Sequence, residues 1–385
     1  MRVYADNAAT TPMDPRVFDA MVPFLTEKFH NPSSLYMGGR IVRQAIDEAR
    51  SLIADYLGCD PDELFFTSGG TEAANLALFG AARHQRAGGK KRIIVGATEH
   101  HAVGLAAKAL ADEGFTVVTV PCDRYGYIAP DVLEQYMTDD TSIVSIMWAN
   151  NETGMLQPVA ELCAVAKKFG ALFHTDAVQA LGSQRIRLDE VGADLFSASS
   201  HKIYGPKGCG ILFIRNGISV TPLLYGGAQE KQIRGGTENP AAIIGFGKAV
   251  ELLCEEREKR VELLRAVSRR FLEGISDIPD ILFNSPQDSV VPGIISLSIA
   301  GVESEPLLLH LGIAGVDASM GAACNTHIVE PSFVLQAMNV PETHINGNVR
   351  FSFGKDSRLE DADFAAKALT ATVNKLRRLR ADDFL

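Results

Sequence analysis

The chain has 385 residues, 46% of them hydrophobic and 22% charged, and carries a net charge of −10. That length predicts two or three domains around a large buried core. The composition excludes a disordered chain, and the negative charge argues against a nucleic-acid surface. No uncharged apolar stretch reaches the roughly 18 residues of a membrane span. The opening MRVYADNAATTP has no basic segment leading into an apolar one, so a cytoplasmic protein without a secretory signal is expected. Cysteines at 59, 122, 163, 209, 254 and 324 lie far apart and form no Cys-x-x-Cys pair, which predicts free thiols rather than a zinc ribbon or a disulfide framework. No metal site is expected.

Residues 36–57 set Val42, Ile46, Ala49, Ile53 and Tyr56 on one apolar face, the spacing of a helix, and Gly58 is its expected stop. DELFFTSGGTEAANLALFGAARH then reads as a short strand, a glycine pair and a helix. RIIVGAT, FTVVTVP, SIVSIMWAN, ALFHTDA, LFSASS and GILFI follow as strands, alternating with helical segments such as 158–169. This alternation predicts an α/β domain with a mostly parallel sheet. The run 239–275 predicts a long helix leaving that sheet. Beyond 280, ILFNSP, GIISLSI, HLGIAGVDASM and NVRFSF predict a smaller α+β domain.

Ligands of open α/β sheets sit beyond the carboxyl ends of the strands, and here those ends are polar. The strand at 64–67 runs into Ser68-Gly69-Gly70-Thr71-Glu72 and a helix, which is either an anion cradle or a turn with a threonine cap. The strand at 171–175 ends in Asp176, with Gln179 just beyond. An acid at an apolar strand tip needs a cationic partner, unless it is a helix cap. The strand at 143–149 ends in Asn150-Asn151-Glu152-Thr153-Gly154, and the strand at 93–97 leads to His100 and His101, of which at most one faces a shared site. SASSHKIYGPKG at 197–208 sets Ser199, His201 and Lys202 beside a glycine-rich turn. Each signal alone is weak. Together they supply a phosphate cradle, an acid, amides, an imidazole and a lysine, the set that pyridoxal 5'-phosphate needs.

Ten stretches then resemble one family: YADNAATTP, HNPSS, TSGGTEAANLA, TEHHAV, ANNETG, HTDAVQ, SSHKIYGPKG, RGGTEN, GAAC and VRFSFG. The chain resembles, nearly end to end, the cysteine desulfurases of the NifS/IscS type, members of the class V aminotransferases. The resemblance implies the pyridoxal-phosphate-dependent transferase fold of type I. Residues 13–255 would form a large cofactor domain with a seven-stranded sheet, and 1–12 with 256–385 a small domain. It implies a homodimer whose subunits complete each other's sites. By match, Lys202 is the Schiff-base lysine, Asp176 the partner of the pyridinium nitrogen and His100 the imidazole over the ring. Asn151 and Gln179 lie near the phenolate oxygen. Gly70 and Thr71, with Ser199 and His201, belong to the phosphate cradle, and Thr237 reaches it from the other subunit. Arg350 grips the substrate carboxylate, assisted by Asn31.

Cys324, in SMGAACNTHIVEPS before a helix expected at Pro331, is the expected nucleophile. The implied reaction turns L-cysteine into L-alanine and leaves a persulfide on Cys324, whose sulfur passes to an acceptor such as an iron–sulfur scaffold. Met320 before the glycine, and Asn325, Thr326 and His327 after the cysteine, depart from the Ser-rich pattern common in the family. A selenocysteine lyase or an aminotransferase on the same scaffold is the alternative. A non-catalytic partner protein is the third reading, against which Lys202 and Asp176 speak.

Overall fold

The computed structural model describes residues 1–284, 288–321 and 331–382. Its strands, in chain order, are β1 (Val3–Tyr4), β2 (Leu64–Thr67), β3 (Arg92–Gly96), β4 (Thr116–Val120), β5 (Thr141–Ser145), β6 (Leu172–Asp176), β7 (Leu195–Ser199), β8 (Gly210–Ile214), β9 (Ile281–Phe283), β10 (Ile294–Ile299), β11 (Val316–Asp317) and β12 (Asn348–Ser352). Seven of them form the main sheet in the order β2-β8-β7-β6-β5-β3-β4. Only β8 runs against the direction shared by the other six strands there. β5, β6 and β7 are buried along their whole length, so they read as unbroken apolar runs rather than alternating ones. This is the α/β architecture that the alternation of elements predicts.

One expected strand is shorter than its apolar run. β5 stops at Ser145, not at Ala149. Pairing with β3 ends there, while Ile146 and Trp148 still donate their N–H groups to His174 O and Asp176 O at 3.2 and 2.8 Å. The chain stays extended along β6 alone, and the freed side opens into the site.

Helix Met37–Leu57 buries Val42, Ile46, Ala49 and Ile53, and Gly58 ends it at φ 67°, where a side chain would be strained. Helix Gly70–Arg86 turns Ala73, Ala74, Ala77 and Ala81 inward, so it lies close on the sheet. Helix Pro240–Gly274 has 35 residues and is about 50 Å long at 1.5 Å per residue. Its Val250 and Leu253 join the core beside helix Met37–Leu57, whereas Val267 and Phe271 join a second core with Leu297, Val349 and Phe351. That second core underlies the antiparallel sheet β12-β10-β9.

The first residues link the two cores. β1 pairs in parallel with β11, and Ser352 donates to Ala5 O. The chain then crosses to the turn after β7, where Thr11 N meets His201 O at 3.1 Å. This crossing places the carbonyls of Ala8 and Ala9 beside Lys202. Near the other chain end, the helix expected at Pro331 begins at Phe333, because the Ser332 hydroxyl caps it by accepting from Leu335 N at 3.2 Å.

Candidate active site

A cleft of about 320 Å³ opens where the carboxyl ends of β5, β6 and β7 meet the N-terminus of helix Gly70–Arg86. Ten residues singled out from the sequence line it: Gly70, Thr71, His100, Asn151, Asp176, Gln179, Ser199, His201, Lys202 and Arg350. A second hollow of about 400 Å³ shares Gly70, Thr71, Ser199 and His201 with it and adds Lys207. Asn31 and Thr237 line neither. Asn31 sits in the turn before helix Met37–Leu57, its side chain accepting from Ser33 N at 2.8 Å. Thr237 is exposed on the segment before helix Pro240–Gly274. Cys324 and His327 lie outside the described residues.

Lys202 stands in the 3₁₀ turn that follows β7, and its Nζ donates to Ala8 O and, at 2.8 Å, to Ala9 O. Asp176, the last residue of β6, accepts from Val178 N at 2.9 Å. Burial pushes its carboxyl up to about 6, against the pull of the Val178 N–H and the Lys202 charge. A buried acid so placed is completed by a cation. His100 caps the helix that begins at His101, its Nδ1 accepting from Ala102 N at 3.1 Å. Burial, with the charges of Lys202 and His101, pushes the imidazole down to about 4, so the ring is neutral with its proton on Nε2. Burial likewise pushes His201 down to about 4, and its Nδ1 lies 3.1 Å from Thr10 Oγ1. Gln179 donates to Ala8 O at 2.8 Å.

The anion cradle is the start of helix Gly70–Arg86. Gly69 takes φ 155°, a conformation that favours glycine, and a Cβ on Gly70 would lie 2.7 Å from a Val178 methyl. The first amides of the helix have no intrahelical partner and carry its positive pole. Glu72 in that first turn is paired with Arg234. Burial alone would raise its carboxyl, but Arg234 at 2.9 Å and the Ser68 N–H hold it below the usual range.

On the opposite wall Arg350 is 3% exposed. Its Nη1 donates to Asn151 O at 2.7 Å and its Nη2 to Asp6 Oδ1 at 2.8 Å. Its Nε is buried and has no partner among the described residues. A buried guanidinium with an unspent donor beside a cleft is built to receive a carboxylate.

Several contributors are absent from the sequence reading. Ala8 and Ala9 act through main-chain oxygens, which no side-chain pattern marks. Asp6 lies inside YADNAATTP, a motif that carries the resemblance without revealing which member meets Arg350. Glu99 and Glu152 sit in quoted motifs, yet nothing local shows that each is 3% exposed.

Residues 3–364 match the family model described as "Aminotransferase class-V". The chain belongs to the class-V aminotransferase family. Among its cysteine desulfurases, "Cysteine desulfurase IscS" of Dictyoglomus turgidum is 45% identical over 378 residues, covering 98% of this chain and 96% of the relative. A solved structure titled "NIFS-LIKE PROTEIN" superposes with a TM-score of 0.90 at 34% identity, covering 100% of both chains. Another, titled "SspA in complex with cysteine", gives a TM-score of 0.82 at 31% identity over 92% of this chain and 99% of that one. The architecture is therefore the type I fold of pyridoxal-phosphate enzymes.

Class-V aminotransferases work with pyridoxal 5'-phosphate, and this chain's residues fit it. The cleft offers a lysine amine, a buried acid with no ion-pair partner within 4 Å among the described residues, and a helix N-terminus shaped by Gly69 and Gly70.

Proposed function

We propose that this protein is a pyridoxal-phosphate-dependent cysteine desulfurase that converts L-cysteine to L-alanine and passes the sulfur onward through Cys324. The observation that carries the reading is the convergence, in one cleft, of Lys202, buried Asp176, the glycine-shaped helix start and the unspent donor of Arg350. The desulfurase names of the relatives favour it over a selenocysteine lyase or an aminotransferase.

Lys202 and Asp176 would hold the cofactor at its aldehyde and its ring nitrogen. Asn151 and Gln179 would lie near its phenolate oxygen. Gly70, Thr71, Ser199 and His201, with Thr237 from a second subunit, would hold its phosphate. When bound, pyridoxal phosphate supplies an electron sink for bond changes at the substrate. Arg350, backed by Asp6 and Asn151 O, orients the substrate carboxylate, with Asn31 assisting. The Lys202 amine takes the α-proton, and neutral His100 moves a proton through Nε2. The Cys324 thiolate attacks the substrate sulfur, so the carbon–sulfur bond breaks as a sulfur–sulfur bond forms. The sulfur is oxidised from thiol to the outer atom of a persulfide. The substrate β-carbon is reduced to the methyl of alanine, and the thiol protons balance the change.

We place the large domain at 13–255, and the small one at 1–12 with 256–385. A homodimer is supported by exposed Leu35, Tyr36 and Met37, and by Tyr225, 81% exposed, beside the segment bearing Thr237. The reading puts the protein in the cytoplasm, donating to an acceptor such as an iron–sulfur scaffold. No helix among the described residues is long and apolar enough to cross a membrane.

The test is incubation of the cofactor-loaded protein with L-cysteine, followed by intact mass spectrometry and alanine assay. Wild type gains one sulfur and releases alanine, and Cys324→Ala gains none. Full sulfide release by Cys324→Ala would overturn the reading.

A further inference from the structure

Glu152 is a carboxylate that the chemistry above does not use. It is 3% exposed, on the turn where the chain leaves β6 beyond the end of β5. Asn150 fixes that turn. Its Oδ1 accepts from Glu152 N and Thr153 N, each at 2.8 Å, and its Nδ2 donates to Thr98 O at 2.8 Å. The direction of the Glu152 side chain thus follows from a turn that the Asn150 side chain holds.

The carboxylate meets two places far along the chain. Ser332 Oγ donates to Glu152 Oε2 at 2.5 Å, and the same hydroxyl caps the helix Phe333–Ala337. Gly321 packs on the other side, so closely that a Cβ there would lie 2.0 Å from Glu152 Oε2. Gly321 N in turn donates to Asn348 Oδ1 at 3.2 Å, on β12 two residues before Arg350. One oxygen therefore bonds Ser332 and packs against Gly321, the two described points that flank residues 322–330. Burial raises the carboxyl, while the Ser332 hydroxyl and the Arg350 charge work against that rise.

We propose that Glu152 is the positioning residue for the sulfur-accepting step, joining Gly321 to Ser332 and so fixing where the chain on either side of Cys324 is anchored. Gly321 lines the cleft, and three residues of chain span at most about 10 Å. The position of Gly321 therefore bounds, through three residues of chain, how far from the cleft Cys324 can lie. A displaced anchor costs rate in the step that needs Cys324 and leaves the grip of Arg350 on the substrate intact. This inference rests on the desulfurase reading.

The experiment follows persulfide formation on Cys324 in the cofactor-loaded enzyme during one turnover of L-cysteine, by intact mass against time, together with the KM for L-cysteine. Glu152→Ala is expected to slow sulfur loading on the order of 100-fold, the usual scale for a reacting group misplaced by about 1 Å. The KM should move less than about threefold, since uniform binding is untouched. Glu152→Gln, whose amide oxygen still accepts from Ser332, should recover most of the rate. Loading by Glu152→Ala at the wild-type rate would overturn the proposal, as would a raised KM with unchanged loading, which would assign Glu152 to the carboxylate grip. Should Glu152→Ala fail to fold, Ser332→Ala decides, with slower loading expected and a wild-type rate fatal to the idea. Wild type that loads no sulfur at all would instead refute the desulfurase reading, and this proposal with it.

Discussion

Asp6 Oδ1 lies 2.8 Å from Arg350 Nη2, a pairing that spans almost the whole chain and sets the plane of the guanidinium. With Nη1 held by Asn151 O, the orientation leaves Nε as the buried donor without a partner among the described residues. Arg350→Lys keeps a positive charge but loses the planar fork. The KM for L-cysteine should rise on the order of 10- to 100-fold with a smaller change in kcat, read by steady-state alanine formation.

Asp176→Asn preserves shape and removes charge at the one fully buried acid expected to face the ring nitrogen. The variant should still take up pyridoxal phosphate, because the helix cradle is untouched. Its kcat should fall by roughly 10²–10³-fold, the scale for losing one preorganised electrostatic contact. Cofactor content by absorbance and alanine release by chromatography separate the two effects, and unchanged kcat would remove Asp176 from its role.

Lys202 is expected to be the residue joined to the cofactor. Borohydride reduction of the loaded protein, followed by peptide mass analysis, should place the pyridoxyl label on residue 202 alone. Lys202→Ala should carry no label and form no alanine above background.

His174 makes a pH prediction independent of the cofactor. On β6, two residues before Asp176, it lies between Ser145 Oγ at 2.8 Å and Ser197 Oγ at 3.2 Å, and burial pushes it down to about 3. A lowered value means that the unfolded chain takes a proton below about pH 6.5 while the folded one does not. This contribution to stability is therefore present above that pH and lost as pH falls. Between about pH 7 and pH 5 the loss amounts to about 2 kcal/mol. Asp176 in the cofactor-free protein works in the opposite sense. Its raised value contributes fully below the ordinary carboxylate range and is lost as pH rises through about 6. Comparing wild type with His174→Gln isolates the histidine. In urea unfolding of cofactor-free protein, the variant should be less stable at neutral pH yet lose less on acidification.

Much of this arrangement is legible before any coordinates. Lys202, Asp176 and His100 each follow an apolar strand run, and a parallel sheet aligns such ends by its own topology. The apolar face of Met37–Leu57 and the stop at Gly58 follow from spacing and from one left-handed residue. What the sequence hides is what pairs across distance or through the main chain. The run after Ser145 is equally apolar whether it borders two strands or one, so the early end of β5 has no local mark. The oxygens of Ala8 and Ala9 around Lys202 belong to residues with no distinguishing side chain. Glu152 reaches Ser332 across 180 positions, a contact that only the folded chain creates.

The segment that carries Thr237 is tied to the body of its own subunit at several places. Glu230 Oε1 takes Arg50 at 2.7 Å and its Oε2 takes Phe66 N at 2.9 Å, Arg234 takes Glu72 at 2.9 Å, and Glu238 takes Arg43 at 2.6 Å. Glu230, Lys231 and Gln232 all adopt positive φ under these ties, between 42° and 67°. The cost of holding that bend is met within the single chain, before any second copy arrives. The arm is therefore already shaped in the single chain, and the proposed homodimer would form by the docking of rigid surfaces rather than by folding upon encounter.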